Sequence, residues 1–184
     1  PAHEARWRVV ARNAFPFIVV GAIWETVARA QVFPPRLFPP LEAIGATLEG
    51  THKAFVITSG TLLLAAAAPG RAATEQDRVD RGPRVDSENT AIALASRGVR
   101  SSVVRLAPIV HSVMDRHGFV PTLIGMARKN GFAAYVGDGS NRWPAVHTLD
   151  AARLYRLAVE AAPAGSRLHG VADEGIPFRE IAES

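Results

Sequence analysis

Whatever chemistry this chain performs proceeds without thiols. None of its 184 residues is cysteine, which excludes disulfides, thiolate metal sites and a thiol nucleophile, and suits a cytoplasmic location. Six histidines are scattered along the chain. No two stand at the i, i+4 spacing that sets a pair of imidazoles on one helix face, so no structural metal is expected. His111 stands alone and receives no role, because an isolated imidazole is more often a surface or core residue than a catalyst. A phosphate cradle needs glycines that follow a strand and open a helix. Gly21, Gly45 and Gly50 do not stand so, and Gly137-Asp138-Gly139 reads as a turn.

The elements that would carry any site come from the apolar pattern. Ala54 to Thr58, AFVIT, is a short β-branched run closed by Ser59 and Gly60, the pattern of a strand buried on both faces in a parallel sheet. A helix is predicted from Asp86 to Arg97 with Gly98 as its C-cap, and Arg100 to Leu106 is a second buried strand. Beyond it we expect a helix over 119–129, a short strand over 133–136, a helix over 149–161, a short strand over 168–172 and a last helix begun by PFREIAES. In the 149–161 helix, Leu149, Ala152, Leu154, Leu157 and Ala158 are assigned to the packed face, with Arg153, Arg156 and Glu160 facing water. This alternation predicts an α/β fold built on a doubly wound parallel sheet.

Composition changes near residue 50, so the chain divides into residues 1–50 and residues 51–184. The first part carries an apolar helix over 13–30 and a linker with two double prolines, Pro34-Pro35 and Pro39-Pro40. Two readings of that helix stay open: a buried helix packed on the downstream domain, and a membrane-contacting segment. No cleavage pattern follows Ala14 to Trp24, so a secretory leader is not expected. An overall charge of +4, spread rather than clustered, gives no reason to expect nucleic acid as a partner. Pro1 in place of methionine, and a final helix cut at Ser184, read as truncation at both ends.

Four segments, FVITSGT, RGVRSSVVRLAPIVH, YVGDGSNRWPAVHTLDAARLYRLA and HGVADEGIPFREIAE, stand in an order and spacing that resemble extended or atypical short-chain dehydrogenase/reductases of the NAD-dependent epimerase/dehydratase group. The likeness covers residues 52–183. Separately, the apolar stretch and VFPPRLFPPLEAIGATL, over about residues 6–50, resemble the first span and loop of an ABC transporter permease. Nothing downstream continues as a permease, so transport is not expected.

The first resemblance implies the carboxyl-terminal half of a Rossmann-type domain with a small substrate lobe, an NAD or NADP cofactor and a nucleotide-sugar-like small-molecule substrate. It implies a catalytic role for Ser59, which matches the family's Ser or Thr at the end of the strand. Its Tyr-x-x-x-Lys pair falls on Arg84 and Glu88. A lone Glu88 cannot supply the lysine's positive charge, so the standard mechanism is not expected. The same resemblance places Pro108 beside the nicotinamide ring, although a strand terminator is an equal reading. It gives Arg142 the role of gripping substrate phosphate. His147 and Asp150 match a structural pair that fixes the loop and caps the following helix, with Asp150 at the N-cap. A parallel sheet of two or three strands leaves apolar edges, which predicts a marginal or homo-oligomeric protein, or one covered by its own amino-terminal helix. The functional expectation is thus an impaired or inactive oxidoreductase-family domain. The alternatives are a noncatalytic small-molecule-binding or interaction protein and a membrane-tethered remnant.

Overall fold

The computed structural model describes residues 41–65, 71–80 and 84–184. The apolar stretch at 13–30, the proline-rich linker up to residue 40 and the membrane contact expected there all lie outside the described residues. Among the described residues no helix is long and apolar enough to cross a membrane. The chain divides into two compact units, Pro1–Ile44 and Gly45–Ser184. The second carries everything that follows except the opening of helix α1, Leu41–Leu48.

Three parallel strands form its principal sheet in the order β1, Ala54–Gly60; β2, Arg100–Leu106; and β5, Ser166–Gly170. The register sets Ser59 opposite Arg105, and Arg105 opposite His169. Because successive side chains of a strand alternate between faces, Ile57, Ser59, Val103, Arg105, Arg167 and His169 share one face. Val56, Thr58, Val104, Leu106 and Leu168 share the other. β1 is an edge strand here and only half-buried, unlike the two-sided burial expected from its composition, because its outer edge has no strand partner among the described residues.

Helix α2, Val85–Ala93, packs on the first face. Asp86 and Glu88 lie in its first turn, where carboxylates complement the helix dipole. It tightens into a 3-10 turn, Leu94–Arg97, and ends at Gly98, whose φ of +73° is the left-handed cap expected there. Helix α4, Thr148–Ala161, packs on the second face. There Ala158 and Ala162 lie against Val104, with Val56, Leu154, Tyr155 and Leu168 around them. The packed face is therefore Ala151, Leu154, Tyr155 and Ala158. The predicted stripe was partly misplaced: Leu149 is 72% exposed, Leu157 is 45% exposed and Ala152 faces solvent.

A second, smaller sheet combines β3, Ile109–His111; β4, Arg142–His147; and β6, Asp173–Pro177. β3 runs parallel to β4, and β6 runs antiparallel to it. Helix α3, Phe119–Asn130, precedes β4, and α5, Phe178–Glu183, follows β6. The strand expected over 133–136 does not form. Those residues are exposed and lead into the Gly137–Gly139 turn, closed by a Gly139 N to Val136 O bond of 3.1 Å. A four-residue apolar run with no neighbouring ladder has nothing to pair with. The strand expected over 168–172 starts earlier, at Ser166, and ends at Gly170.

Candidate functional site

Ligands of doubly wound sheets bind beyond the carboxyl ends of the strands. At that end of the principal sheet, Ser59, Arg105 and His169 form one transverse row. Arg105 is 1% exposed, and an arginine so deep in a sheet requires a counterion. Helix α2 supplies it. Arg105 Nε donates to Glu88 Oε2 at 3.1 Å, and Nη2 donates to Glu88 Oε1. Glu88 also accepts from Arg167 Nε at 2.7 Å, so one carboxylate joins two guanidinium groups from adjacent strands. Asn89 adds a longer contact, 3.4 Å, from Arg167 Nη2.

Burial alone would raise the Glu88 pKa, but the hydrogen bonds from Arg105 and Arg167 outweigh it and hold the carboxyl below its ordinary value. The Ser59 hydroxyl faces the same carboxylate and adds to this lowering, although its Oγ does not reach hydrogen-bond geometry with any partner. Glu88 is therefore held ionised and doubly paired, which makes it a poor proton acceptor. On the far side of the row, burial pushes the His169 imidazole below its ordinary pKa, against the opposing pull of Glu75. His169 Nε2 is buried with no hydrogen-bond partner.

The residues singled out from sequence take distinct places. Arg84 is exposed at the amino-terminal end of α2, in the left-handed region at φ +66°. Glu88, one turn on, points to the sheet. Arg105 and Arg167 flank its carboxylate with two positive charges. Pro108 follows Ala107, whose N–H donates to Gly170 O at 3.0 Å, and separates β2 from β3. Arg142 belongs to the second sheet and is not part of the Ser59 row. Because Ile109 pairs with Ala145, Arg142 lies toward the Pro108 end of the β3–β4 pair. Its Nε donates to Gly175 O at 3.0 Å, which fixes the plane of an exposed guanidinium.

The N-cap of α4 is His147, not Asp150. His147 Nδ1 accepts from Leu149 N at 3.2 Å, while Asp150 lies in the first turn. The short imidazole reaches the second amide because His147 leaves β4 with extended backbone, φ −72° and ψ 142°. His111 and His147 are cross-strand partners with ring centroids 5.6 Å apart, and Thr148 Oγ1 donates to His111 O at 3.1 Å. Three residues were missed from sequence: Arg105, Arg167 and His169. The available signal was the basic side chain inside RSSVVRL, an apolar run in which an arginine must find a buried partner.

Gly139 of the Gly137–Gly139 turn offers no cradle for the pyrophosphate of a dinucleotide. Gly139, the nearest cradle candidate, has Tyr135 and Arg179 packed where a Cβ would lie, at 2.8 Å. That space is filled by the protein itself. Arg179 moreover donates through Nε to Asp138 O at 2.9 Å, which secures the turn as structure. Among the described residues no cluster of His, Asp and Glu suits a metal ion.

No family model matches the sequence. The uncharacterized protein C2A9.02 of Schizosaccharomyces pombe is 48% identical over 144 residues, covering 77% of this chain and 48% of that protein. The uncharacterized protein YLL056C of Saccharomyces cerevisiae is 40% identical over 139 residues, covering 74% of this chain and 45% of that one. The chain spans about half the length of the curated relatives it matches. Among solved structures, dTDP-glucose 4,6-dehydratase from Bacillus anthracis in complex with NAD superposes with a TM-score of 0.62 at 16% identity, over 78% of this chain and 47% of that chain. UDP-N-acetylglucosamine 4-epimerase from Methanobrevibacter ruminantium, in complex with UDP-N-acetylmuramic acid, gives 0.62 at 14% identity, over 86% and 54%. MoeE5 with UDP-glucuronic acid and NAD gives 0.60 at 16%, over 78% and 49%. The three-stranded parallel sheet with its flanking helices is therefore part of the Rossmann-like α/β fold found in NAD-bound nucleotide-sugar dehydratases and in nucleotide-sugar epimerases.

Proposed function

We propose that residues 51–184 are a nucleotide-sugar-binding part of an epimerase/dehydratase-like oxidoreductase domain of the short-chain dehydrogenase/reductase type, impaired in redox chemistry as it stands here. In this reading Arg142 holds the substrate phosphate, Pro108 borders the nicotinamide of NAD or NADP, and Ser59 stands at the reacting edge. The observation that carries it is Arg142, whose Nε is anchored on Gly175 O while the exposed guanidinium remains oriented for a bidentate contact with phosphate oxygens. Impairment follows from Glu88. It is committed to Arg105 and Arg167, so no lysine-like cation is free to lower the pKa of a phenol, and Arg84 provides no phenol.

A thermal-shift titration with UDP-glucose tests the binding half of this proposal. Stabilisation is expected for the native chain, reduced in Arg142→Ala and retained in Arg128→Ala; a native chain indifferent to UDP-sugars would sink it. Fluorescence titration with NADH and NADPH tests the other half. Cofactor affinity tighter than roughly 10 µM, within the ordinary range for such sites, would contradict impairment.

A noncatalytic binding protein is the second reading, and the Glu88 network favours it. An ion network of one carboxylate and two guanidinium groups serves packing as well as it serves chemistry.

A further inference from the structure

The segment Arg71–Asp80 lies against the carboxyl ends of β2 and β5, held there through Arg105 and His169. Internally it is a closed turn. Asp77 N donates to Thr74 O at 3.1 Å, Thr74 N returns a bond of 2.7 Å to Asp77 Oδ2, and Arg71 Nη1 holds the same oxygen at 2.9 Å. Externally two hydrogen bonds dock it: Arg105 Nη1 to Asp77 O at 3.0 Å, and His169 N to Glu75 Oε1 at 3.2 Å. None of its ten residues is fully buried, and its apolar side chains Ala73 and Val79 are half-buried. Under it the His169 imidazole lies among Glu75 and Asp77 of the segment, Arg105 of β2 and Glu88 of α2, with Nε2 lacking a partner.

We propose that Arg71–Asp80 is a strap that swings off this edge as a preformed unit, uncovering His169 and gating the polar row beside Arg105. Opening breaks two hydrogen bonds that water can replace and gives up the half-buried contacts of Ala73 and Val79, with no fully buried strap side chain to expose. It also gives the orphaned His169 Nε2 access to water, which removes the desolvation penalty of an unsatisfied buried nitrogen. The internal bonds of the turn survive, so the strap keeps its shape and can return. Opening is thus a local event with a free energy far below that of global unfolding.

The test uses the full chain and the acylation of imidazole by diethyl pyrocarbonate, located at His169 by peptide mass spectrometry across a urea series. Acylation at His169 is expected to be nearly independent of urea below the unfolding transition. In Glu75→Ala, which removes a docking bond from an exposed side chain, it is expected to rise roughly tenfold. Should either expectation fail, with labelling that follows the urea dependence of global unfolding or a rate unchanged by Glu75→Ala, the strap is a fixed part of the fold. Deuterium exchange of the His169 amide in the unmodified chain is a second measurement, free of any variant: weak urea dependence is expected, and a global slope overturns the proposal. None of these readouts depends on NAD or nucleotide-sugar binding.

Discussion

Arg105 and Glu88, 17 residues apart, form a two-bond pair in which the side chains retain 1% and 5% of their exposure. Breaking a buried pair by removing one partner strands the other charge, at about 3–5 kcal/mol. Glu88→Ala is expected to lose at least that range, because Arg105 and Arg167 are both left without their carboxylate. Glu88→Lys is expected to be worse still, since it sets three cations together. Urea unfolding followed by circular dichroism measures both; a loss under about 1 kcal/mol for Glu88→Ala would show that water reaches the network.

Stability is expected to fall as pH falls, in two stages. The carboxyl pKa values of Glu75, Asp77 and Glu88 lie below their ordinary values, so the folded chain binds fewer protons than the unfolded chain in acid. Burial lowers His169 in the same sense, and its unfolded value is 6.5. All these groups therefore make stability rise with pH. The histidine stage is lost as pH drops from 6.5 towards the folded value, and the Glu stage starts from 4.5. Midpoints measured from pH 8 to pH 3 should show this monotonic loss, and His169→Gln should abolish its upper stage.

Tyr155 OH and Thr58 Oγ1 lie 2.6 Å apart, joining α4 to the second face of the sheet. Tyr155→Phe keeps the ring in its packing against Val104 and Ala158 and removes the bond alone. The expected loss is about 0.5–1.5 kcal/mol, at the lower end because Thr58 is exposed. A larger loss by chemical denaturation would assign the hydroxyl a further role.

His147→Ala removes the N-cap of α4, with an expected loss of about 0.5–2 kcal/mol, whereas His147→Asn should preserve most of the stability. Exchange protection at the Leu149 amide reports the cap directly. Equal loss in both variants would locate the contribution in the His111 contact instead.

Much of the framework was legible in the chain itself. The β1 and β2 runs and the Gly98 cap are local patterns, in which side-chain branching and backbone freedom decide the conformation within a few residues. The small second sheet was less legible, because β3 has three residues and β6 contains Gly175 at φ +118°, so neither has a periodicity to read. The misplaced stripe of α4 has a similar cause: alanine reads as neutral in a pattern, yet Ala151, Ala158 and Ala162 are the residues buried at its contacts.

Charge shows the division most clearly. Sequence alone set Glu88 and Arg84 at the positions that the family resemblance implies for lysine and tyrosine, and showed that an arginine interrupts an apolar strand. Only the tertiary structure decided that these facts concern one another. Glu88, Arg105 and Arg167 lie on three different elements, and their interaction depends on strand order and register, which bring residues 17 and 79 positions apart into hydrogen-bond range. Coulomb energy depends on distance and dielectric, and both are set by how the helix docks on the sheet rather than by position in the chain.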